Sequence, residues 1–143
     1  MQVYRDEDTD LELIRGRRVA VIGYGNQGRA QALNLRDSGV FVLIGLPEGS
    51  GSRSRAAQDG FDVMTAAQAS EKSDVLVMLA ADEVHARIYS EEIAPNLAEG
   101  AALLFAHGLS IRFGLIEPRP DLDVVLVAPK GPGTALRREY EQG

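Results

Sequence analysis

A mainly parallel, doubly wound α/β sheet is the fold class this sequence predicts, and three observations predict it. Short apolar runs recur along the chain, each gives way to a glycine-containing or polar loop, and stretches of helical spacing separate them. Runs that are apolar throughout suit strands buried on both faces, the habit of parallel sheets. With 143 residues and 45% hydrophobic content, the chain has the size of one domain with one core.

The elements follow in order. After a polar lead-in with Asp6, Glu7, Asp8 and Asp10, the segment Arg18–Gly23 is the first buried strand. Tyr24–Gly28 is a glycine-rich turn, and Arg29–Ser38 carries Ala30 and Leu33 at helical spacing until Gly39 stops it. Val40–Ile44 is a second strand. Gly45–Ser54, rich in glycine and serine, is a loop, with helix resuming over Arg55–Asp59. Val63 and Met64 form a short strand, Thr65 caps a brief helix through Ser70, and Asp74–Leu79 is a further strand. A helix over Val84–Tyr89 comes next, and Ala101–Phe105 and Asp123–Val127 complete the strands. The chain closes on Arg137–Gly143, a polar helical beginning with no strand after it, so the sheet is expected to lack its last strands.

Composition excludes several functions. A net charge of −6 argues against a nucleic-acid surface, which needs clustered Lys and Arg. No apolar run approaches the roughly 18 residues that span a bilayer, and the acidic N-terminus does not look like a signal peptide, so the expectation is a cytoplasmic protein without membrane contact. Cysteine is absent, which removes disulfides and thiolate chemistry. With only His85 and His107, no histidine metal cluster is expected; His85, in a helical stretch, is expected to be exposed.

Gly23-Tyr24-Gly25-Asn26-Gln27-Gly28 matches G-x-G-x-x-G between a strand and a helix. There the first glycine makes the tight turn, the second lets the backbone approach a pyrophosphate, and the third packs helix on strand. This is the Rossmann-type fingerprint of dinucleotide binding; the bland alternative is a glycine turn without a ligand. An acidic residue that would bind the ribose 2′-hydroxyl of NAD is missing after the second strand, where Ile44 and Gly45 stand. Ser50, Ser52, Arg53, Ser54 and Arg55 follow instead, donors suited to the 2′-phosphate of NADP(H). Glu48 in the same loop opposes that preference if it points inward.

His107 follows a strand in Phe105-Ala-His-Gly108, at the edge where ligands bind in open α/β sheets. Lys130 projects from the proline-stiffened loop Ala128–Gly133 at the same edge. Either residue could be merely structural; their alignment favours function.

Together these stretches, with Asn34–Gly39 and Glu92–Leu97, resemble ketol-acid reductoisomerase over nearly the whole chain. The resemblance implies an NADP-dependent enzyme of branched-chain amino-acid biosynthesis. It converts 2-acetolactate to 2,3-dihydroxyisovalerate by alkyl migration and then hydride transfer. By position it adds Asp82 and Gly133 to the cofactor contacts and makes His107 and Lys130 the polar residues beside the active site. Pro47, Ala81, His85 and Thr134 depart from the family's usual arginine, proline, glutamine and histidine. The family's two-magnesium carboxylates come from a helical domain that would follow Gly143. Residues 1–143 are therefore expected to be the N-terminal NADP-binding domain, without a metal site and inactive alone, taking a 2-acetolactate-type substrate only with a helical domain supplied. A non-catalytic NADP-binding regulatory module and a ligand-free structural domain are the alternatives, and a homodimer through the unfinished sheet edge is a further expectation.

Overall fold

The structure, a computed structural model, describes residues 1–143. Strands β1 (Arg18–Ile22), β2 (Phe41–Gly45), β3 (Asp62–Met64), β4 (Val75–Met78), β5 (Ala102–Phe105) and β6 (Asp123–Leu126) form one sheet, ordered β3-β2-β1-β4-β5-β6 and parallel throughout. Helices α1 (Leu11–Arg15), α2 (Asn26–Asp37), α3 (Ser52–Gln58), α4 (Ala66–Glu71), α5 (Asp82–Ile88), α6 (Leu109–Arg112) and α7 (Gly133–Gln142) join and flank the strands, and a π-helical turn over Tyr89–Ile93 continues α5. The chain leaves β1 toward β2 and β3, then returns to β4 on the other side. The crevice at this reversal of direction is where open α/β sheets bind ligands.

Alternation along the central strands builds two cores. Val19 and Val21 of β1 pack with Ala32 and Leu33 of α2 and Ala56 of α3, while Ala20 and Ile22 pack with Ala66 and Ala69 of α4, Ile88 and Ile93. Each fully buried aliphatic side chain contributes about 1.5–3 kcal/mol. The outer strand β6 is different: Val124, Val125 and Leu126 are 44%, 40% and 57% exposed.

Several boundaries move from the expected ones. The α2 helix starts at Asn26, three residues early, because Gly25 is already its extended N-cap and Arg29 N donates to Gly25 O at 3.0 Å. Likewise α3 starts at Ser52 rather than Arg55, its entry turned by Ser52 N donating to Ser50 Oγ at 3.3 Å. Two helices were not anticipated, α1 and α6, of 5 and 4 residues, too short to show a period. The Thr65 cap of α4 is as expected and extends to a full capping box, since Thr65 Oγ1 accepts from Gln68 N and Gln68 Oε1 accepts from Thr65 N.

The last helix begins at Gly133, four residues before the expected Arg137, and packs along α2. A Cβ at Gly133 would lie 2.1 Å from Asn26 O, so only glycine lets the two helix starts meet. Arg137 donates to Asn34 Oδ1 and Asp37 Oδ2 at 3.0 and 2.7 Å, and the Ser38 and Tyr140 hydroxyls lie 2.7 Å apart.

Ion pairs brace the periphery and set an acid limit. Hydrogen bonds from arginine hold four aspartates below their ordinary 3.8: Asp37 from Arg137, Asp59 from Arg29, Asp74 from the Arg18 backbone and side chain, and Asp121, down to about 2, from Arg119. A carboxylate lowered in the folded state stabilises it above the unfolded value, and that contribution is lost as pH falls through the folded value. Thermal midpoints followed by circular dichroism are therefore expected to be level above about pH 5 and to fall between roughly pH 4 and 2. A midpoint that stays level to pH 2 would remove these pairs from the stability of the fold.

Candidate functional site

The strands β2, β1 and β4 end level with one another: Gly23 N donates to Gly45 O at 3.1 Å and Leu79 N to Ile22 O at 2.8 Å. All candidate residues gather along this edge. Gly23 turns the chain with φ of 101°, and a Cβ there would lie 2.6 Å from Ala80 N. At Gly28 a Cβ would meet Gly23 O at 2.4 Å, so that glycine seats α2 against β1. Gly25 is the contrast. Nothing lies within 4 Å of its would-be Cβ, and no side chain caps the 12-residue α2 there. The first-turn N–H groups face open space, where an anion can approach.

Beside Gly25 a cleft of about 510 Å³ is lined by Tyr24, Asn26, Arg29, Ser52, Arg55 and, from α7, Thr134, Arg137 and Arg138. Much of its charge is already paired. Arg29 donates to Asp59 at 2.7 and 3.1 Å, and Tyr24, nearly fully buried, donates its hydroxyl to Asp59 Oδ2 at 2.8 Å. Burial first, and then this bond to a carboxylate, hold the Tyr24 hydroxyl well above the ordinary tyrosine range, so it stays a donor. Arg55 is exposed and its guanidinium makes no hydrogen bond or ion pair.

Of the loop residues singled out from sequence, Ser52 lines the cleft, Ser50 is turned to the Ser52 backbone, and Arg53 faces inward. The Arg53 guanidinium donates to Leu46 O at 2.8 Å, Val63 O at 3.4 Å and Met64 O at 3.5 Å, clamping the loop onto the end of β3. Glu48 is exposed. Gln27 is also engaged, its amide donating to Gly131 O at 2.9 Å and so tying the first turn of α2 to the loop before α7.

At the β4–β5 end, Asp82 stands between two histidines, 3.7 Å from His85 Nε2 and 3.7 Å from His107 Nδ1. His85 is 3% exposed, contrary to the expected surface position. Both ring nitrogens find partners: Nε2 lies 2.7 Å from Ala80 O and Nδ1 3.0 Å from Ser110 Oγ, so burial leaves neither unpartnered. Because a carbonyl only accepts, Nε2 donates to Ala80 O. His107 is exposed, and Lys130, also exposed, follows the neighbouring strand β6 along the same edge.

A second pocket of about 190 Å³ lies on the other face of β1, between Leu46 and Pro47 after β2 and Ala80 and Val84 after β4. Sequence patterning held no sign of it, nor of the Tyr24–Asp59–Arg29 group, because both join segments that only the sheet order brings together. No three His, Asp or Glu side chains converge so as to hold a metal ion. The chain's own residues therefore do not fit a magnesium site. No helix is long and apolar enough to cross a membrane.

Residues 13–143 match the family described as "Acetohydroxy acid isomeroreductase, NADPH-binding domain". The ketol-acid reductoisomerase (NADP(+)) of Saccharopolyspora erythraea is 54% identical over 142 residues, covering 99% of this chain and 43% of that protein. Among solved structures, an NADH-preferring ketol-acid reductoisomerase from an uncultured archean superimposes with a TM-score of 0.95 at 46% identity, over 100% of this chain and 45% of that one. The imine reductase of Myxococcus stipitatus in complex with NADP+ shares the fold alone, with a TM-score of 0.67 at 18% identity over 82% of this chain and 42% of that one. The chain thus spans less than half the length of the ketol-acid reductoisomerases it matches.

Proposed function

Because this chain belongs to the acetohydroxy acid isomeroreductase family, as its NADPH-binding domain, we propose that it holds NADPH across the end of β1 for the reductive step of a ketol-acid reductoisomerase, in the cytoplasm. The observation that carries the reading is the uncapped start of α2 at Gly25, open to solvent and bordered by Ser52 and Arg55. In this reading the whole chain is one cofactor-binding unit. The pyrophosphate lies on the first-turn N–H groups of Asn26, Gln27 and Gly28. Ser52 and Arg55 hold the 2′-phosphate, while Ser50 and Arg53 shape the loop that presents them. Gly23 and Gly133 keep the turn and α7 close enough to form the cleft.

In the full family reaction the nicotinamide supplies a hydride to a 2-acetolactate-derived ketone. What this chain contributes there is position and charge. Leu109 N, donating to His107 Nδ1 at 3.3 Å, orients His107 at the end of β5 with Asp82 3.7 Å away, and Lys130 sets a cation at the same edge for an anionic substrate. Turnover then requires magnesium ligands from a helical domain. A homodimer is the proposed assembly, supported by the outer edge and exposed apolar side chains of β6.

Calorimetric titration with NADPH and NADH tests the reading. NADPH is expected to bind more tightly. Arg55→Ala should weaken NADPH by about tenfold, the loss of one charge-assisted contact, and leave NADH unchanged. Arg53→Ala should instead lower stability and weaken both nucleotides alike. Absence of binding by either nucleotide sinks the cofactor reading and leaves the family membership as a statement of ancestry.

A further inference from the structure

The 190 Å³ pocket opens beside Gly23, one residue from the turn assigned to the pyrophosphate, and on the β2 side, where the adenosine half of a dinucleotide lies. Its walls are apolar, with Ile22, Leu46, Pro47, Ala80, Val84 and Ile88 among them, a lining that suits the flat faces of an aromatic base. Only two charged side chains line it, Arg87 and Glu92. Arg87 is drawn to Glu91 at 3.4 Å. Glu92 pairs with no cation; Oε2 accepts from Ala67 N at 3.3 Å, and Oε1 accepts from no protein group.

The position of Glu92 has a backbone cause. Along a regular α-helix each step of four residues drifts by roughly 40° around the axis, which would carry Glu92 roughly 80° away from Val84. The turn over Tyr89–Ile93 is wider, closed by Ala94 N donating to Tyr89 O at 2.8 Å. A π turn takes back that drift and returns Glu92 to the line of Val84 and Ile88, facing the pocket; such turns are frequent at functional sites.

We propose that Glu92 reads the nucleotide base, its free carboxylate oxygen accepting from the exocyclic amino group of adenine. The proposal rests on the nucleotide reading given above. Adenine offers an N–H donor at that position, whereas hypoxanthine offers a carbonyl oxygen that a carboxylate repels. Glu92 is thereby a specificity residue for the base, separate from the loop that discriminates at the ribose.

The test compares NADPH with its hypoxanthine analogue on the 143-residue chain and on Glu92→Gln. The glutamine keeps its one oxygen for Ala67 N, so its NH2 group faces the base and the preference for an amino group over a carbonyl is lost. The wild-type chain is expected to prefer NADPH by about tenfold or more, and Glu92→Gln to bring the two within about twofold, because a site built to accept an N–H rejects the ligand that lacks it. A change of both affinities by the same factor, or a preference untouched by the substitution, overturns the proposal and leaves the cofactor reading standing. Failure of the wild-type chain to bind either nucleotide takes both down together. A thermal melt of Glu92→Gln within about 2 °C of wild type shows that the α4 cap is intact, so that a lost preference is assigned to the base and not to a disturbed fold.

Discussion

Gly25→Ala is expected to weaken NADPH binding by about tenfold to a hundredfold while leaving the fold as stable as before. The backbone at Gly25 has φ of −76° and ψ of −158°, extended values that alanine adopts without strain, and its Cβ would meet no protein atom within 4 Å. Two small effects on stability oppose each other. Alanine is a poorer N-cap than glycine, yet it removes conformational freedom from the unfolded chain, each effect worth about 1 kcal/mol or less. The methyl group instead fills the space through which a pyrophosphate reaches the N–H groups of α2. Charge-assisted hydrogen bonds of this kind contribute about 1.5–3 kcal/mol each, so loss of one is worth between about tenfold and a hundredfold in affinity. Titration calorimetry beside a thermal melt separates the two effects. Unchanged affinity in a folded variant shows that the nucleotide does not cross the turn at Gly25.

Gly23→Ala should behave in the opposite way. Here φ is 101° and the added Cβ would stand 2.6 Å from Ala80 N and 2.7 Å from the Leu79 carbonyl, backbone atoms just past the end of the central strand β4 that have no rotamer by which to yield. The left-handed backbone costs an alanine about 1–2 kcal/mol, and forced displacement of packed neighbours about 1–3 kcal/mol more. The sum, roughly 2–5 kcal/mol, is a large part of the stability of a domain this size and corresponds to a fall in Tm of roughly 6–20 °C. Urea titration of the variant checks it. A midpoint within a few tenths molar of wild type would mean that the β1 turn and the β4 strand are not in the register described.

The strands and the cofactor turn were legible in the sequence because their signals are local. The apolar runs at Arg18–Gly23 and Asp74–Leu79 and the three spaced glycines each make sense within about ten residues. Arg53 and Arg55 show where local reading ends. In sequence they are equivalent donors in one loop; in the fold, Arg53 meets the carbonyl of Leu46, just after β2, and those of Val63 and Met64 in β3, and Arg55 is left to the cleft. His85 is similar, since the partner that allows its burial, Ser110, lies 25 residues away. Glu92 is hidden for another reason: regular α-helical spacing puts it roughly 80° off the line of Val84 and Ile88, and only the π turn brings it back.

The seat of Gly133 on Asn26 has a consequence for descent. A lineage that ceased to use the nucleotide would still be held to glycine at 133, as at 23 and 28, since those positions answer to packing inside the protein itself. Position 25 answers only to something outside it. Among homologues of this chain, drift at position 25 is therefore the mark of a lost ligand, whereas glycines kept at 23, 28 and 133 record little more than common ancestry.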